Sequence, residues 1–391
     1  MFKSSVLNFL LLVTLQFSYS VSQKSVVEVT INLNLSDSSI DVTKNVDFNE
    51  NIQQPVNGRS VNEYPVIGVL AQEISYALEQ VYPGMYKSFI AASYVKFVEG
   101  GGARVIPIWI DKPKEYYRDI MTKINGVLFP GGATWFNQSN GYADAGQFIY
   151  DIAKEMNDNG TYFPIWGTCL GFELLTYVDA KGNEHRDDCS SQNQALHLDF
   201  KPDFMESRLF RNASKEIIED LKTKPVTSNF HRFCVTEKAL EEAGIADNWR
   251  VMSTNYDWNG FLFISTMEHT KYPFYGVQFH PEKNIYEWVR NKNITHTKEA
   301  IRASQYFSEF FVEECRRNQN KFENGATEED KYVIYNFPVT FTGEKKSSYE
   351  QCYLFDANAD YKTSKASTSV GQLSMILILF HGLWTLRTIL I

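Results

Sequence analysis

The sequence runs to 391 residues, 43% hydrophobic and 22% charged, which supplies a sizeable core and excludes a fibrous or wholly disordered chain. Its formal net charge is −9, from 38 Lys and Arg against 47 Asp and Glu, so no global basic field attracts a phosphate backbone. Nucleic acid is not an expected partner.

Residues 1–20 read as a secretory signal peptide: Lys3, an apolar stretch from Val6 to Phe17, then small residues at Ser18 and Ser20. The stretch is short for a membrane anchor, the other reading of such a terminus. Segment 21–61 is polar and reads as a linker or propeptide, although the alternation Val27-Glu28-Val29-Thr30-Ile31 is also that of an edge strand. N-x-S/T sequons at Asn34, Asn137, Asn159, Asn212 and Asn293 fit a secretory route without establishing it.

From Tyr64 onward, short apolar runs alternate with helical patterns. Strands are expected at Pro65–Leu70, Arg104–Trp109, Gly126–Phe129, Tyr162–Trp166, Phe261–Met267 and Phe274–Phe279, all continuous runs of the kind buried parallel strands require. Tyr86, Ile90, Tyr94, Phe97 and Val98 make one helical stripe ended by Gly100-Gly101-Gly102, and further helices are expected at Ala145–Asn157, Leu170–Tyr177 and Lys298–Asn320. The alternation predicts an α/β three-layer sandwich: a mostly parallel central sheet, helices on both faces, and a site at the carboxyl ends of the strands. Past 356 come a polar spacer, 357–372, and a hydrophobic tail, 373–391, which reads as a lipid-anchor signal or a short transmembrane segment and so implies membrane attachment. An amphipathic helix packed on the domain is the alternative.

The most informative segment is Ile165-Trp166-Gly167-Thr168-Cys169-Leu170-Gly171-Phe172-Glu173, a strand, a G-x-C-x-G turn and a helix start. Glycines at 167 and 171 suit a sharp strand-to-helix turn, because Cβ atoms there would strike neighbouring backbone. Cys169 would then stand at the sheet's edge on a helix N-terminus, which favours its thiolate. Five cysteines leave at least one unpaired; if Cys189, Cys234, Cys315 and Cys352 pair, in any of three connectivities, Cys169 is the free one. A structural thiol is the other reading.

A nucleophilic cysteine needs a base. His280 closes the strand Phe274–Phe279, and Glu282 stands two residues on, placed to fix the imidazole tautomer. His231, within Ser228-Asn229-Phe230-His231-Arg232-Phe233, is a second candidate site residue. Pro130-Gly131-Gly132 ends a third strand, and the N–H of Gly132 or Gly131 with that of Leu170 would make an oxyanion hole. Arg232, Lys271 and Lys283 are candidate cations for an acidic substrate.

Strand-P-G-G, strand-G-T-C-L-G and strand-F-H-P-E, in that order, resemble the class I glutamine amidotransferase fold. Adding Phe89–Phe97, Gly102–Val105, Asn229-Phe230-His231, Ile264–Glu268 and Tyr275–Lys283, residues 62–356 resemble the gamma-glutamyl hydrolase family, the folylpolyglutamate-cleaving peptidases. The resemblance implies hydrolysis of gamma-glutamyl amide bonds in folate and antifolate poly-gamma-glutamates, in a lysosomal or secreted setting, by a homodimer with neither metal nor cofactor. It implies Cys169 as nucleophile, His280 as acid/base, Glu282 as the triad acid, and Glu173 and His231 in substrate binding or support of catalysis. An amidotransferase-like glutaminase and a catalytically relict, membrane-displayed binding protein are the alternatives. Segment 21–61 and the C-terminal tail depart from the family pattern.

Overall fold

The computed structural model describes residues 27–35, 38–46 and 61–362. Expectations that fall on 1–20 and 373–391 lie outside the described residues. The chain divides into two compact units, Met1–Arg59 and Ser60–Ile391. In the first, Val27–Leu35 pairs antiparallel with Ser38–Val46, with Ile31 opposite Val42. A stretch expected as polar coil is thus a paired ribbon, and strand extends well beyond Val27–Ile31. Its recurring Val, Ile and Thr suit a pleated backbone whatever the polarity around them.

The second unit is built on an eight-stranded sheet. Its strands, numbered along the chain, are β1 Val66–Leu70, β2 Arg104–Ile108, β3 Gly126–Phe129, β4 Ile165–Thr168, β5 Asp199–Phe200, β6 Trp249–Tyr256, β7 Leu262–His269 and β8 Phe274–Val277. The order across the sheet is β5-β6-β7-β8-β4-β3-β1-β2. From β8 to β2 neighbouring strands run parallel, whereas β5 to β8 pair antiparallel. The sheet is mostly parallel in its site-bearing half, but the run near Phe261–Met267 is antiparallel to its neighbour. A continuous apolar run reports that both faces are covered, not which way the strand runs.

Alternate side chains serve opposite layers. Ile67, Val69, Leu128, Trp166, Tyr275 and Val277 join one core with the helices Ala92–Gly100 and Lys298–Arg316. Val66, Leu70, Val127, Phe129, Ile165 and Phe274 join the other with Lys114–Met121, Tyr142–Asp158 and Leu170–Asp179. The three-layer sandwich follows from this period of two between two apolar layers.

Three local expectations are corrected. Tyr86 and Ile90 precede the helix at Ala92–Gly100, because Ser88–Ala91 is a strand between Gln72–Glu73 and Cys352–Phe355 in a separate four-stranded sheet. Tertiary pairing overrides the helical spacing there. Among the described residues one disulfide joins Cys189 to Cys234, and Cys315 and Cys352 are free and buried beside Cys169 as a third free thiol. Cys315 lies on the Lys298–Arg316 helix and Cys352 in the small sheet, so the condition under which Cys169 alone would be free is not met. The packed body also extends past 356, where the Tyr361 hydroxyl donates to Pro107 O at 2.6 Å and its ring lies 4.4 Å from that of Trp109.

Trp166 is the largest fully buried side chain, ringed by Phe97, Phe307 and Phe311, with its indole N–H on Thr168 Oγ1 at 3.0 Å. Trp166→Ala is expected to lower unfolding free energy by about 3–5 kcal/mol. Ile301→Ala, at a helix position 40% exposed, should stay within about 0.5 kcal/mol. Urea unfolding of both variants checks the pair.

Candidate active site

The parallel strands deliver their carboxyl ends to one place. After β4, Cys169 takes φ 52°, a left-handed value that a non-glycine residue adopts only when its surroundings hold it there, and the helix Leu170–Asp179 starts directly behind it. The Cys169 N–H donates to Val277 O at 2.8 Å, locking the turn to β8. The expected role of the glycines is met: a Cβ at 167 would lie 2.5 Å from Gly171 O, and one at 171 would lie 2.0 Å from Phe129 O.

His280 stands three residues beyond β8, with its amide donating to Ser228 O at 2.8 Å. Its Nδ1 lies 2.7 Å from Glu282 Oε1 and 3.2 Å from the Tyr94 hydroxyl. A proton on Nδ1 answers the carboxylate and leaves Nε2 as the basic nitrogen. Burial holds His280 below its ordinary pKa, with Glu282 opposing. Burial also raises Glu282, but His280 and Lys283 outweigh it and keep the carboxyl below its usual range. The pair at rest is therefore neutral imidazole against carboxylate.

Gly131 marks where the strand ends meet. A Cβ built there would sit 2.8 Å from His280 Cε1 and 3.0 Å from Cys169 Cβ, so nucleophile and imidazole flank the same glycine. The Cys169 thiol is nevertheless pushed well up, first by burial and then by the carboxylates of Glu173 and Glu282. The Leu170 amide and Lys283 pull the other way. This corrects the expected thiolate: one helix terminus does not offset burial beside two acids, and the resting group is a thiol.

The oxyanion candidates separate as well. Gly131 N–H donates to the Tyr94 hydroxyl at 2.9 Å and is committed. Among the described residues Gly132 N–H has no acceptor, and Leu170 N–H faces the Cys169 sulfur. Gly132 N–H is the uncommitted donor, whereas Leu170 N–H is shared with the Cys169 sulfur.

Glu173 is 2% exposed and both its oxygens are taken, Oε1 by Gln278 Nε2 at 2.9 Å and Oε2 by Arg186 Nη1 at 2.9 Å. Burial raises its pKa against those two partners. Arg186 in turn lies over the rings of Phe136, at 4.0 Å, and Phe233, at 5.0 Å. His231 lies on the strand Thr227–Cys234, which pairs with Asp187–Leu196, and its neighbour Phe230 packs its ring 6.1 Å from that of His280. His231 itself faces the Cys189–Cys234 disulfide. Of the three candidate cations, Lys283 is buried beside Glu282 with its ammonium 4.7 Å from the Tyr349 ring centre. Lys271 is held by Asp158 and Arg232 is exposed on the ribbon, so neither joins the cluster.

Tyr94, Arg186 and Gln278 were not legible as site residues. Tyr94 read as one apolar position in a stripe, and Arg186 sits in a polar loop with no local signal. Gln278 lies two residues before His280 in a strand that read as buried core.

The family model described as Peptidase C26 matches residues 65–282. The chain is 40% identical over 293 residues to gamma-glutamyl hydrolase of Homo sapiens, covering 75% of this chain and 90% of that protein. It is 35% identical over 315 residues to gamma-glutamyl hydrolase B of Dictyostelium discoideum, 80% and 89% of the two chains, and 33% identical over 298 residues to gamma-glutamyl hydrolase 2 of Arabidopsis thaliana, 76% and 84%.

Two measurements test the site's construction. Gly171→Ala drives a methyl group into the Phe129 carbonyl, and a loss of more than about 3 kcal/mol, or failure to fold, is expected; near-wild-type urea unfolding would contradict the tight turn. Burial also lowers His231 to about 3 and His269 to about 4. Both fold as neutral rings, so the stability they contribute is present above the unfolded value of about 6.5 and is lost as pH falls toward the folded values. From pH 7 to pH 5 each should cost about 1–2 kcal/mol, and a flat stability profile over that range would refute the assignment.

Proposed function

The chain belongs to the peptidase C26 family, and from that premise we propose that Cys169, His280 and Glu282 carry out the cysteine-dependent hydrolysis of gamma-glutamyl bonds typical of its gamma-glutamyl hydrolases, with folate and antifolate poly-gamma-glutamates as substrates. The observation that carries the assignment is the meeting of a left-handed Cys169 and the His280–Glu282 pair around Gly131.

The order of proton transfers follows from the resting charges. Cys169 begins as a thiol and His280 as a neutral base whose Nε2 is free. As Sγ bonds to the gamma-carbonyl carbon, its proton passes to Nε2, and the imidazolium so formed is stabilised by Glu282 through Nδ1–H. The carbonyl oxygen, now an oxyanion, takes the Gly132 and Leu170 amides. His280 then gives its proton to the leaving nitrogen as the C–N bond breaks, leaving a gamma-glutamyl thioester. Water attacks that carbon while His280 accepts its proton, and the thiol is restored as the new carboxylate departs.

The glutamate carboxylates of such a substrate need a cation inside the site, and Lys283 supplies one. Glu173 acts as a positioning residue, holding Arg186 against Phe136 and Phe233 and Gln278 beneath the catalytic pair. His231 supports the ribbon that seats His280. Passage through the secretory pathway to a lysosomal or extracellular setting, a C-terminal membrane attachment and a homodimer belong to the same proposal. Exposed sequons at Asn137, Asn159, Asn212 and Asn293 accord with it.

The test is release of glutamate and glutamyl peptides from a folate poly-gamma-glutamate. Cys169→Ala should abolish release, and Glu282→Gln should cut kcat by about 10²–10⁴-fold with folding unchanged. Full release by Cys169→Ala would remove the nucleophile assignment, and wild-type protein that cleaves gamma-glutamyl amides lacking the folate moiety while sparing folates would remove the substrate class alone.

A further inference from the structure

Outside the nucleophile and its partners, one cluster of ligating groups stands out. Cys189 and Cys234 come from the two strands of the ribbon Asp187–Leu196 and Thr227–Cys234, and with His231 they place three ligand atoms within 4.8 Å of one another. Strict strand alternation would put His231 and Cys234 on opposite faces. The register shift between His231 and Phe233 turns both toward Cys189.

The distances suit a metal. With Zn–S near 2.3 Å and Zn–N near 2.0–2.1 Å, a tetrahedral ion separates a sulfur and a nitrogen ligand by about 3.6 Å and two sulfurs by about 3.8 Å. His231 Nδ1 already lies 3.5 Å from Cys189 Sγ and 3.4 Å from Cys234 Sγ. Only the sulfurs must part.

A second observation comes from the imidazole. Its Nε2 lies 3.2 Å from Asn229 Oδ1 and its Nδ1 3.2 Å from Phe233 O, both acceptors. The Asn229 amide nitrogen donates to Thr227 O and Oγ1, which fixes Oδ1 toward the ring. A neutral imidazole has one proton for two acceptors, so one nitrogen, 3% exposed as the residue is, keeps an unanswered lone pair. In the tautomer with the proton on Nε2 the lone pair is on Nδ1, against the two sulfurs; in the other the Nδ1 proton goes to Phe233 O. The hydrogen bond from Nε2 to Asn229 is the outer-shell contact that orients a metal-bound histidine.

We propose that Cys189, His231 and Cys234 form a redox-gated site for a thiophilic divalent cation of the zinc class, closed while the disulfide stands and opened by a dithiol reductant. Cys189 lines an open cavity of about 460 Å³ with Asp188, Asp257 and Phe261, whereas Cys234 is fully buried. A reductant thiolate therefore attacks the Cys189 sulfur. A new S–S bond forms, the old one breaks, and Cys234 leaves as a thiolate beside His231. The reductant's second thiol, as thiolate, attacks its own sulfur in the mixed disulfide and departs as a cyclic or intramolecular disulfide, having passed two electrons to the protein. The exchange leaves both cysteines as thiolates, the dithiol's two protons having gone to solvent, and the thiolates bind the ion while the cavity leaves water the fourth position.

Cobalt(II) is the probe. The whole protein is reduced with a phosphine, freed of it without air, and titrated. One equivalent should raise thiolate-to-cobalt charge transfer and the visible bands of a tetrahedral ion, one equivalent of zinc should bleach them, and the oxidised protein should show neither. Cys169→Ala should keep the signal, Cys234→Ser should lose it, and Asn229→Ala should weaken zinc by about 10–100-fold. The same spectrum in Cys234→Ser, or none in a reduced wild type whose circular dichroism matches the oxidised form, would overturn the site. Loss of that circular dichroism on reduction would overturn it too, since the ribbon would then need its disulfide.

Discussion

The carbonyl oxygen of Phe129 and the backbone of Gly171 approach so closely that a Cβ at 171 would lie 2.0 Å from that oxygen. This contact between the end of β3 and the first turn of the helix after β4 is what sets the place of Cys169. With a Cβ at Gly167 also only 2.5 Å from Gly171 O, the chain has no room to relax, and Cys169 is carried into a left-handed conformation at the ends of the parallel pair β4 and β8. The strain, on the order of 1–3 kcal/mol for such a residue, is borne by two apolar layers that bury alternate side chains of every central strand. The site is thus a by-product of close packing, and its geometry is as rigid as the core behind it.

Electrostatics then determine the protonation states. Cys169 shares a dry pocket with Glu173 and Glu282, so ionising it in advance would place a third negative charge beside two. Arg186 offsets Glu173, and Lys283 offsets Glu282 and, to a lesser degree than burial raises it, the thiol. Burial pushes the Cys169 thiol up and the His280 imidazole down, so both groups are favoured in their neutral forms. His280 needs Glu282 for orientation and Tyr94 to fill its remaining space; Tyr94 also takes the amide of Gly131, which leaves Gly132 as the donor free for substrate.

The ribbon of Asp187–Leu196 and Thr227–Cys234 links this centre to the rest of the surface. Ser228 receives the His280 amide, Phe230 packs near its ring, and Arg186, just before the ribbon begins, neutralises Glu173. The disulfide lies at the Arg186 end of the ribbon, and His231 stands mid-strand beside Phe230. The strand that carries His231 and Cys234 is the one whose Ser228 accepts the His280 amide.

Sequence by itself determined the parts governed by local rules. Glycine at 167 and 171, the apolar runs at β1 to β4, the helix start at Leu170 and the Pro130-Gly131-Gly132 turn are each dictated by backbone sterics or by period, and each lies where it was read. Cys169, His280 and Glu282 were visible because strand ends followed by glycine or proline announce a sheet's working edge. The tertiary structure alone decided what depended on distant partners. Helical spacing from Tyr86 to Val98 yielded to pairing of Ser88–Ala91 with Cys352–Phe355, which lies over 250 residues away. The thiol's protonation turned on burial and two carboxylates that no local pattern reports, and cysteine parity could not say that Cys189 and Cys234 pair while Cys315 and Cys352 stay free. Arg186 and Tyr94 acquired roles only through contacts at Glu173 and Gly131. Local sterics and periodicity are written along the chain, whereas desolvation and long-range pairing exist only once it has folded.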